Sequence, residues 1–469
     1  MQCGTRQHVN KLSRAELGFK GNGRVGHQLS FIGERVLGWI RNLIYLIVLG
    51  VAFPWLLWRC WRTGRYKTGV RQKLFGLDAS TISGSSAKEM IWLHGVSVGE
   101  VQLLQPLLER WQNENAGYRF AVSTTTESGL ELARKLYSSK VTVFYFPLDF
   151  TWAVGRTLAT LQPRMLVLGE LELWPNLIEA CRRQGVHVAV VNGRLSPRSF
   201  ARYHQLSWLT RGMFTKLSLV AAQSESNAQR FRACGASDTT VVTGSVKFDN
   251  VAFDRQAPEV AALRTAVGIR PEQRVWLMGS TQSHEELPAV RALQNLQPDF
   301  PELKLIVVPR HPDRFDDVAK EIERSGVRLL RRSSVVAPVP IDSWDVLLVD
   351  SVGELKWWWG LAEIAIVGGS FGARGGQNML EPAAYGANVA FGPNTSNFRD
   401  IVELLLAGDA ATRLESLDAI EPWVRQQLLD PAAGQARGAR ARKLVASGQG
   451  ALQRTLAALT ALLYQSPSQ

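Results

Sequence analysis

Apolar and polar positions along this chain fall into three successive patterns. The first is NLIYLIVLGVAFPWLLW, residues 42–58, an uncharged run of about the minimum length that crosses the hydrocarbon core of a bilayer. From about residue 89, short runs of β-branched and aromatic residues alternate with stretches at helical spacing. MIWLH, YRFAVST, VTVFYF, RMLVLGE, HVAVVNG, LSLVAAQ and TTVVTG read as strands, and segments such as ESGLELARKLYSS and WPNLIEACRRQG read as helices. A second series follows KFDNVAFDRQAPEVAALRTAVGIRPEQ, with VWLMGS, LKLIVVPR, VRLLRR, DVLLVD, AEIAIVGGS and ANVAFGP. Strands separated by helices predict parallel, doubly wound sheets.

The expected fold class is therefore α/β, with two Rossmann-like doubly wound domains facing a cleft and an N-terminal membrane anchor. Residues 1–36 are polar, Gly-rich and basic without periodicity, and read as a flexible extension or as the product of a start codon placed too early. The anchor occupies 37–60, the first domain 61–250 and the second 251–430. Residues 431–469 form an Ala- and Arg-rich segment with helical spacing.

Charge decides how the apolar run is read. Arg41 precedes it, and Arg59, Arg62, Arg65, Lys67, Arg71 and Lys73 follow it. A cleaved signal peptide has the opposite order, whereas a basic flank after the run keeps the downstream chain in the cytoplasm. Tryptophans 39, 55, 58 and 61 suit the two membrane interfaces. The competing reading is a buried core helix. Over the whole chain, 54 Lys+Arg against 41 Asp+Glu leave a formal charge of +13. That excess favours nucleic acid, anionic lipid or phosphorylated substrates without choosing between them. The basic residues are dispersed and no nucleic-acid motif is present, which argues against a nucleic-acid partner. Cys3, Cys60, Cys181 and Cys234 are scattered, so a reducing compartment is expected and no metal site is.

The candidate chemistry lies at strand ends. In HGVSVGE, residues 94–100, Ser97 and Glu100 have the spacing of a capping box. The same position puts the Glu100 carboxylate at the mouth of a β-α crevice, where open α/β sheets bind ligands. GELELWPN puts Glu170 and Glu172 at another strand end, and VTGSVKFD puts Lys247 near the exit from the first domain. In the second domain, AEIAIVGGSFGARGGQNMLEPAAYG runs from a strand through a Gly-rich loop to a helix expected to open near Asn378. Such a helix start favours a phosphate, and Glu381 can either cap it or accept ribose hydroxyls. Pro309, Arg310 and His311 end one strand, and Gly353 and Glu354 follow another. The Arg310 fork suits a phosphate or carboxylate. Lacking a Walker Lys-Ser/Thr pair, the loop does not point to ATP hydrolysis. RLSPRSFARYHQLSWLTRGMFTKL mixes Arg194, Arg198, Arg202, Arg211 and Lys216 with aromatics. It reads either as a phosphate- and acyl-facing surface or as amphipathic packing.

Taken in order, WLHGVSVGE, STTTESG, YFPLD, GELELWPN, VNGRLSPRSF, TGSVKFD, MGSTQSHEE, VPRHPDRF, DSVGELKWWWGLA and GGQNMLEPAAYG resemble the 3-deoxy-D-manno-octulosonic acid (Kdo) transferases of lipopolysaccharide synthesis, a GT-B glycosyltransferase family. The resemblance spans roughly residues 38–430. It implies transfer of Kdo from CMP-Kdo to a phosphorylated, acylated disaccharide of the lipid IVA type, at the cytoplasmic face of the inner membrane and without a metal or other cofactor. It places the catalytic base at Glu100 and transition-state groups at Glu170 and Lys247. The CMP contacts fall on Pro309 and Arg310, on Val352, Gly353 and Glu354, and on Asn378, Met379, Leu380 and Glu381. Gln377 and Gln282 stand where that family usually has His. The dipole at its helix start is expected to keep Glu100 ionised. The alternative is another nucleotide-sugar transferase or epimerase, of the UDP-N-acetylglucosamine type.

Overall fold

In the computed structural model, residues 23–63, 68–82, 88–137, 141–249, 251, 254–340 and 342–465 are described. Seven strands form the first sheet: β1 (Glu89–His94), β2 (Tyr118–Thr124), β3 (Thr142–Tyr145), β4 (Pro163–Gly169), β5 (His187–Gly193), β6 (Leu219–Ala222) and β7 (Thr240–Val242). A second sheet takes β8 (Arg274–Thr281), β9 (Leu303–Pro309), β10 (Leu329–Arg331), β11 (Val346–Leu348), β12 (Ile364–Val367), β13 (Asn388–Phe391) and β14 (Ala411–Arg413). The orders are β3-β2-β1-β4-β5-β6-β7 and β10-β11-β9-β8-β12-β13-β14, and the pairings are parallel. The α/β expectation of two doubly wound sheets is met. The central strands are apolar on both sides because helices cover both faces, and Trp92, Leu93, Leu166 and Val167 are fully buried.

Strand order fixes where a ligand crevice opens. In the first sheet the winding reverses between β1 and β4, which pair with His94 opposite Leu168. In the second it reverses between β8 and β12, with Gly279 opposite Val367. A crevice opens at the carboxyl ends of such a pair of strands. The loops beyond those four ends carry Glu100, Glu170, the STQSHEE segment and the glycine-rich stretch.

Three features depart from the sequence reading. Strand β14, in DAATRLES, has one buried residue of three and no apolar run, so its sequence carries no period-two signal. At the N-terminus, part of the proposed flexible extension, residues 1–22, lies outside the described residues, but from Gly23 the backbone is already helical and continues to Thr63. Within that helix Val36–Trp55 is long and apolar enough to cross a membrane and only 11% of it is buried, and the window starts one residue ahead of the anchor expected at 37–60. This fits a membrane anchor better than a core helix. Finally, the C-terminal segment is divided between the sheets. Helix Pro431–Gly448 lies along the second sheet, whereas helix Ala451–Leu463 returns to the first, where Leu456, Leu459 and Leu463 join Leu93 and Val191. The Asp249 carboxylate fixes that return by accepting the Gly450 and Leu452 amides at 2.5 and 2.7 Å.

Candidate functional site

The capping box at the end of β1 is formed. Ser97 Oγ accepts the Glu100 N–H at 3.3 Å and donates to Glu100 Oε1 at 3.0 Å, while the Val96 N–H donates to Oε2 at 3.0 Å. The cap does not take the carboxylate out of the crevice. A Cβ on Gly169, at the end of β4, would stand 3.5 Å from Glu100 Oε2, so the lack of a side chain there brings the two strand ends together. Burial raises the pKa of Glu100 and the charge of Glu170 adds to it, outweighing the Val96 and Ser97 hydrogen bonds that lower it. Desolvation is the largest of these contributions.

Glu170 has φ +50°, the left-handed region. Its amide still donates to Val191 O at 3.0 Å, which holds the turn against the sheet. A side chain held in that sparsely occupied region is common at functional turns. Lys247 Nζ lies 3.7 Å from Glu170 Oε1. Lys247 sits on a 3-10 turn, Val246–Phe248, whose first amide is held by the buried Asn192 side chain at 3.2 Å. Glu172 completes the group. Its pKa is pushed up to about 7, first by burial and then by the negative charges of Glu100 and Glu170. The first sheet therefore brings Glu100, Glu170 and Lys247 together, with Glu172 alongside.

At the second sheet the Gly-rich loop is held from below by a carboxylate that the sequence left without a role. Glu285 is buried, and it accepts the amides of Gln282 and Gly369 at 2.8 Å each and of Phe371 at 3.4 Å. Gly368 must be glycine for this approach, since a Cβ would lie 2.6 Å from Glu285 Oε2. Gln282 and Gln377, distant in sequence, meet at Gly369. A Cβ there would stand 3.2 Å from Gln377 Cγ and 3.6 Å from Gln282 Cγ.

The helix expected near Asn378 is only Leu380–Ala384, five residues. Its dipole is too short to make a phosphate site, and the Leu380 amide is already taken by Asn378 Oδ1 at 3.0 Å. Asn378 Nδ2 donates to Glu381 Oε1 at 3.0 Å. Burial raises the pKa of Glu381, and Asn378 and the charges of Lys356 and Arg310 work against it. Met379 and Leu380 point into the core, leaving only backbone for a ligand. Pro309 ends β9, and Arg310 beyond it is exposed. Val352 and Gly353 are exposed on their loop, but Glu354 is engaged, accepting from Arg332 at two distances of 3.1 Å and from Ser351 at 2.5 Å. Its neighbours make it a loop-shaping group.

A cleft of about 670 Å³ lies between the sheets, lined by Arg194, Arg230 and Lys247 from one side and Asn397, Arg399 and Asp400 from the other. Arg194 and Asp400 bridge it at 2.7 and 3.0 Å. Asn397 ties the cleft to the Gly-rich loop, its amide donating to Gly375 O at 2.9 Å. Among the described residues no group of three His, Cys, Asp or Glu is arranged to hold a metal ion.

Residues 63–250 match the family of 3-deoxy-D-manno-octulosonic-acid transferases (kdotransferases). The chain is 35% identical over 431 residues to the 3-deoxy-D-manno-octulosonic acid transferase of Bordetella pertussis, covering 89% of this chain and 98% of that protein. It is 32% identical to the transferase of that name from Haemophilus influenzae, covering 78% and 85%. A solved glycosyltransferase from Rickettsia africae superposes on 81% of this chain and 100% of its own with a TM-score of 0.51, at 13% identity, which speaks to the fold alone. Two facing parallel sheets in the GT-B manner, and a likeness that runs through nearly all of the Bordetella enzyme, lead to one statement: this chain is an enzyme of the Kdo transferase family of glycosyltransferases.

Proposed function

We propose that the enzyme transfers Kdo from CMP-Kdo to a hydroxyl of a phosphorylated, acylated disaccharide lipid of the lipid IVA type, inverting the anomeric centre and using Glu100 as general base. The observation that carries this reading is the convergence of Glu100, Glu170 and Lys247 at the β1–β4 switch point, beside the cleft. The acceptor oxygen attacks the anomeric carbon of Kdo as the bond from that carbon to the CMP phosphate oxygen breaks. The electron pair leaves with CMP, and the acceptor's proton passes to Glu100. A single displacement inverts. A raised pKa suits this role, because a base works best when its pKa lies near the working pH. Lys247 offsets charge on the departing phosphate, and Glu170 holds Lys247 in place. Pro309, Arg310, the Val352–Glu354 loop and the 378–381 segment hold CMP, with Glu381 accepting ribose hydroxyls.

The apolar helix, docked on the first domain along Gly38–Tyr45 and exposed on its opposite side, seats the protein on the cytoplasmic face of the inner membrane through that exposed apolar side. Leu206, Trp208 and Leu209 are exposed among basic residues and face the acyl chains of the acceptor. Purified protein offered CMP-Kdo and UDP-N-acetylglucosamine separately, with a lipid A precursor, tests the reading by product mass. A Kdo-bearing lipid is expected. Consumption of the UDP-sugar alone would overturn it.

A further inference from the structure

The apolar helix also carries polar groups that a lipid environment does not explain. Gly38, Arg41, Asn42 and Tyr45 recur at three- and four-residue spacing, so they share one face, and that face is docked. Asn42 is 1% exposed. Its Nδ2 donates to Thr151 Oγ1 at 2.7 Å, and its Oδ1 accepts the Thr151 N–H at 3.1 Å and Asn176 Nδ2 at 3.4 Å. Arg41 Nη1 donates to Asn176 Oδ1 at 3.4 Å. Tyr45 OH donates to Asp149 Oδ2 at 3.2 Å. Asp149 in turn accepts the amides of Asn176 and Leu177 at 3.0 and 2.8 Å.

These are helix caps supplied from elsewhere in the chain. Helices Thr151–Leu161 and Pro175–Arg183 begin after Phe150 and Trp174, neither of which gives a side-chain cap. Their first amides are left without intrahelical partners. Asn42 serves the first helix, and Asp149, oriented by Tyr45, serves the second. The second matters for the site, because the stretch from Glu170 to Trp174, between β4 and that helix, contains Glu170 and Glu172. One end of this loop is fixed by the Glu170 amide on Val191. The other is fixed by the Asp149 cap.

We infer that Asn42 and Tyr45 are positioning residues, through which the apolar helix clamps the 170–174 loop and so holds Glu170 and Glu172 against Glu100. The activity arm of the test rests on the function proposed above; the exchange arm does not. The intact chain in detergent is compared with Asn42→Leu and Tyr45→Phe, which keep the helix apolar, and with Asn42→Asp, which keeps the acceptor for Thr151. Amides of residues 171–174, 176 and 177 should exchange hydrogen about tenfold faster in Asn42→Leu, which loses the contact to Asn176, and in Tyr45→Phe, which loses the contact to Asp149, as a local opening becomes easier. Asn42→Asp should stay near the parent. In the two faster variants kcat should fall while KM for CMP-Kdo and membrane retention hold, since the nucleotide loops belong to the other sheet. Unchanged exchange in both variants overturns the clamp. Faster exchange with unchanged kcat overturns the positioning role. A parent enzyme that exchanges as expected yet transfers no Kdo sinks the functional reading and leaves the clamp standing.

Discussion

At the scale of single residues, Glu100 shows that a structural role and a chemical one can share a carboxylate. It caps its helix through Ser97 and Val96, and its Oε2 still lies beside the end of β4, where a Cβ on Gly169 would stand 3.5 Å away. Spacing alone made the cap legible. It could not give the direction of the pKa shift, because that depends on burial and on Glu170, a residue 70 positions away that is brought near by strand pairing. The sign leads to a prediction. A base must be ionised, so the rate should climb with pH through the raised pKa of Glu100. Glu170→Gln removes a negative neighbour, which lowers that pKa and should move the acidic limb of the profile to lower pH, whatever happens to the maximal rate. A limb that stays put or moves up would show that the two carboxylates are not coupled. Glu172, pushed up to about 7, was visible only as one acid among several.

Elements were more legible than their ends. Every strand read from apolar runs is present, since a run buried on both faces cannot be hidden by loop chemistry. What failed was short or held from afar, as with three-residue β14 and the five-residue helix after Asn378. The Gly-rich loop illustrates the second cause. Its glycines announce close backbone approach, but the partner making the approach, Glu285, lies 84 residues from Gly369. Glu285→Ala should therefore weaken CMP binding without touching nucleotide, because three amides lose their acceptor, each costing about 1–3 kcal/mol when left buried and unpaired. Glu381→Ala should weaken it by about 1.5–3 kcal/mol through lost hydrogen bonds to a charged group. Calorimetry with CMP reads both. Affinity unchanged by Glu285→Ala would mean that the loop keeps its shape unaided.

For the whole molecule, sequence patterning foresaw two sheets and an apolar helix but not how the chain ties them together. The last helix returns to the first sheet, and the first helix docks on it through Asn42 and Tyr45. Neither link follows from local periodicity, which reports the face a segment buries and not the surface it meets. The intact chain should remain with membranes through alkaline carbonate and leave only in detergent, because the undocked side of the first helix buries its exposed apolar residues in lipid. Association through charge alone would be lost near ~1 M salt, where the screening length is about 3 Å. Removing residues 1–60 should spare CMP binding but slow transfer to lipid acceptor beyond the loss of membrane contact, because Asn42, which caps helix Thr151–Leu161, and Tyr45, which orients the Asp149 cap, go with it. The most direct test of the whole account is single-turnover transfer from CMP-Kdo to the lipid acceptor by Glu100→Gln, with products resolved by mass and CMP affinity measured alongside. Glutamine keeps the size and hydrogen-bonding reach of the side chain but cannot take the proton. The prediction is unchanged CMP affinity with transfer slowed about 10²-fold or more; transfer at the parent rate would show that Glu100 is a helix cap and nothing further.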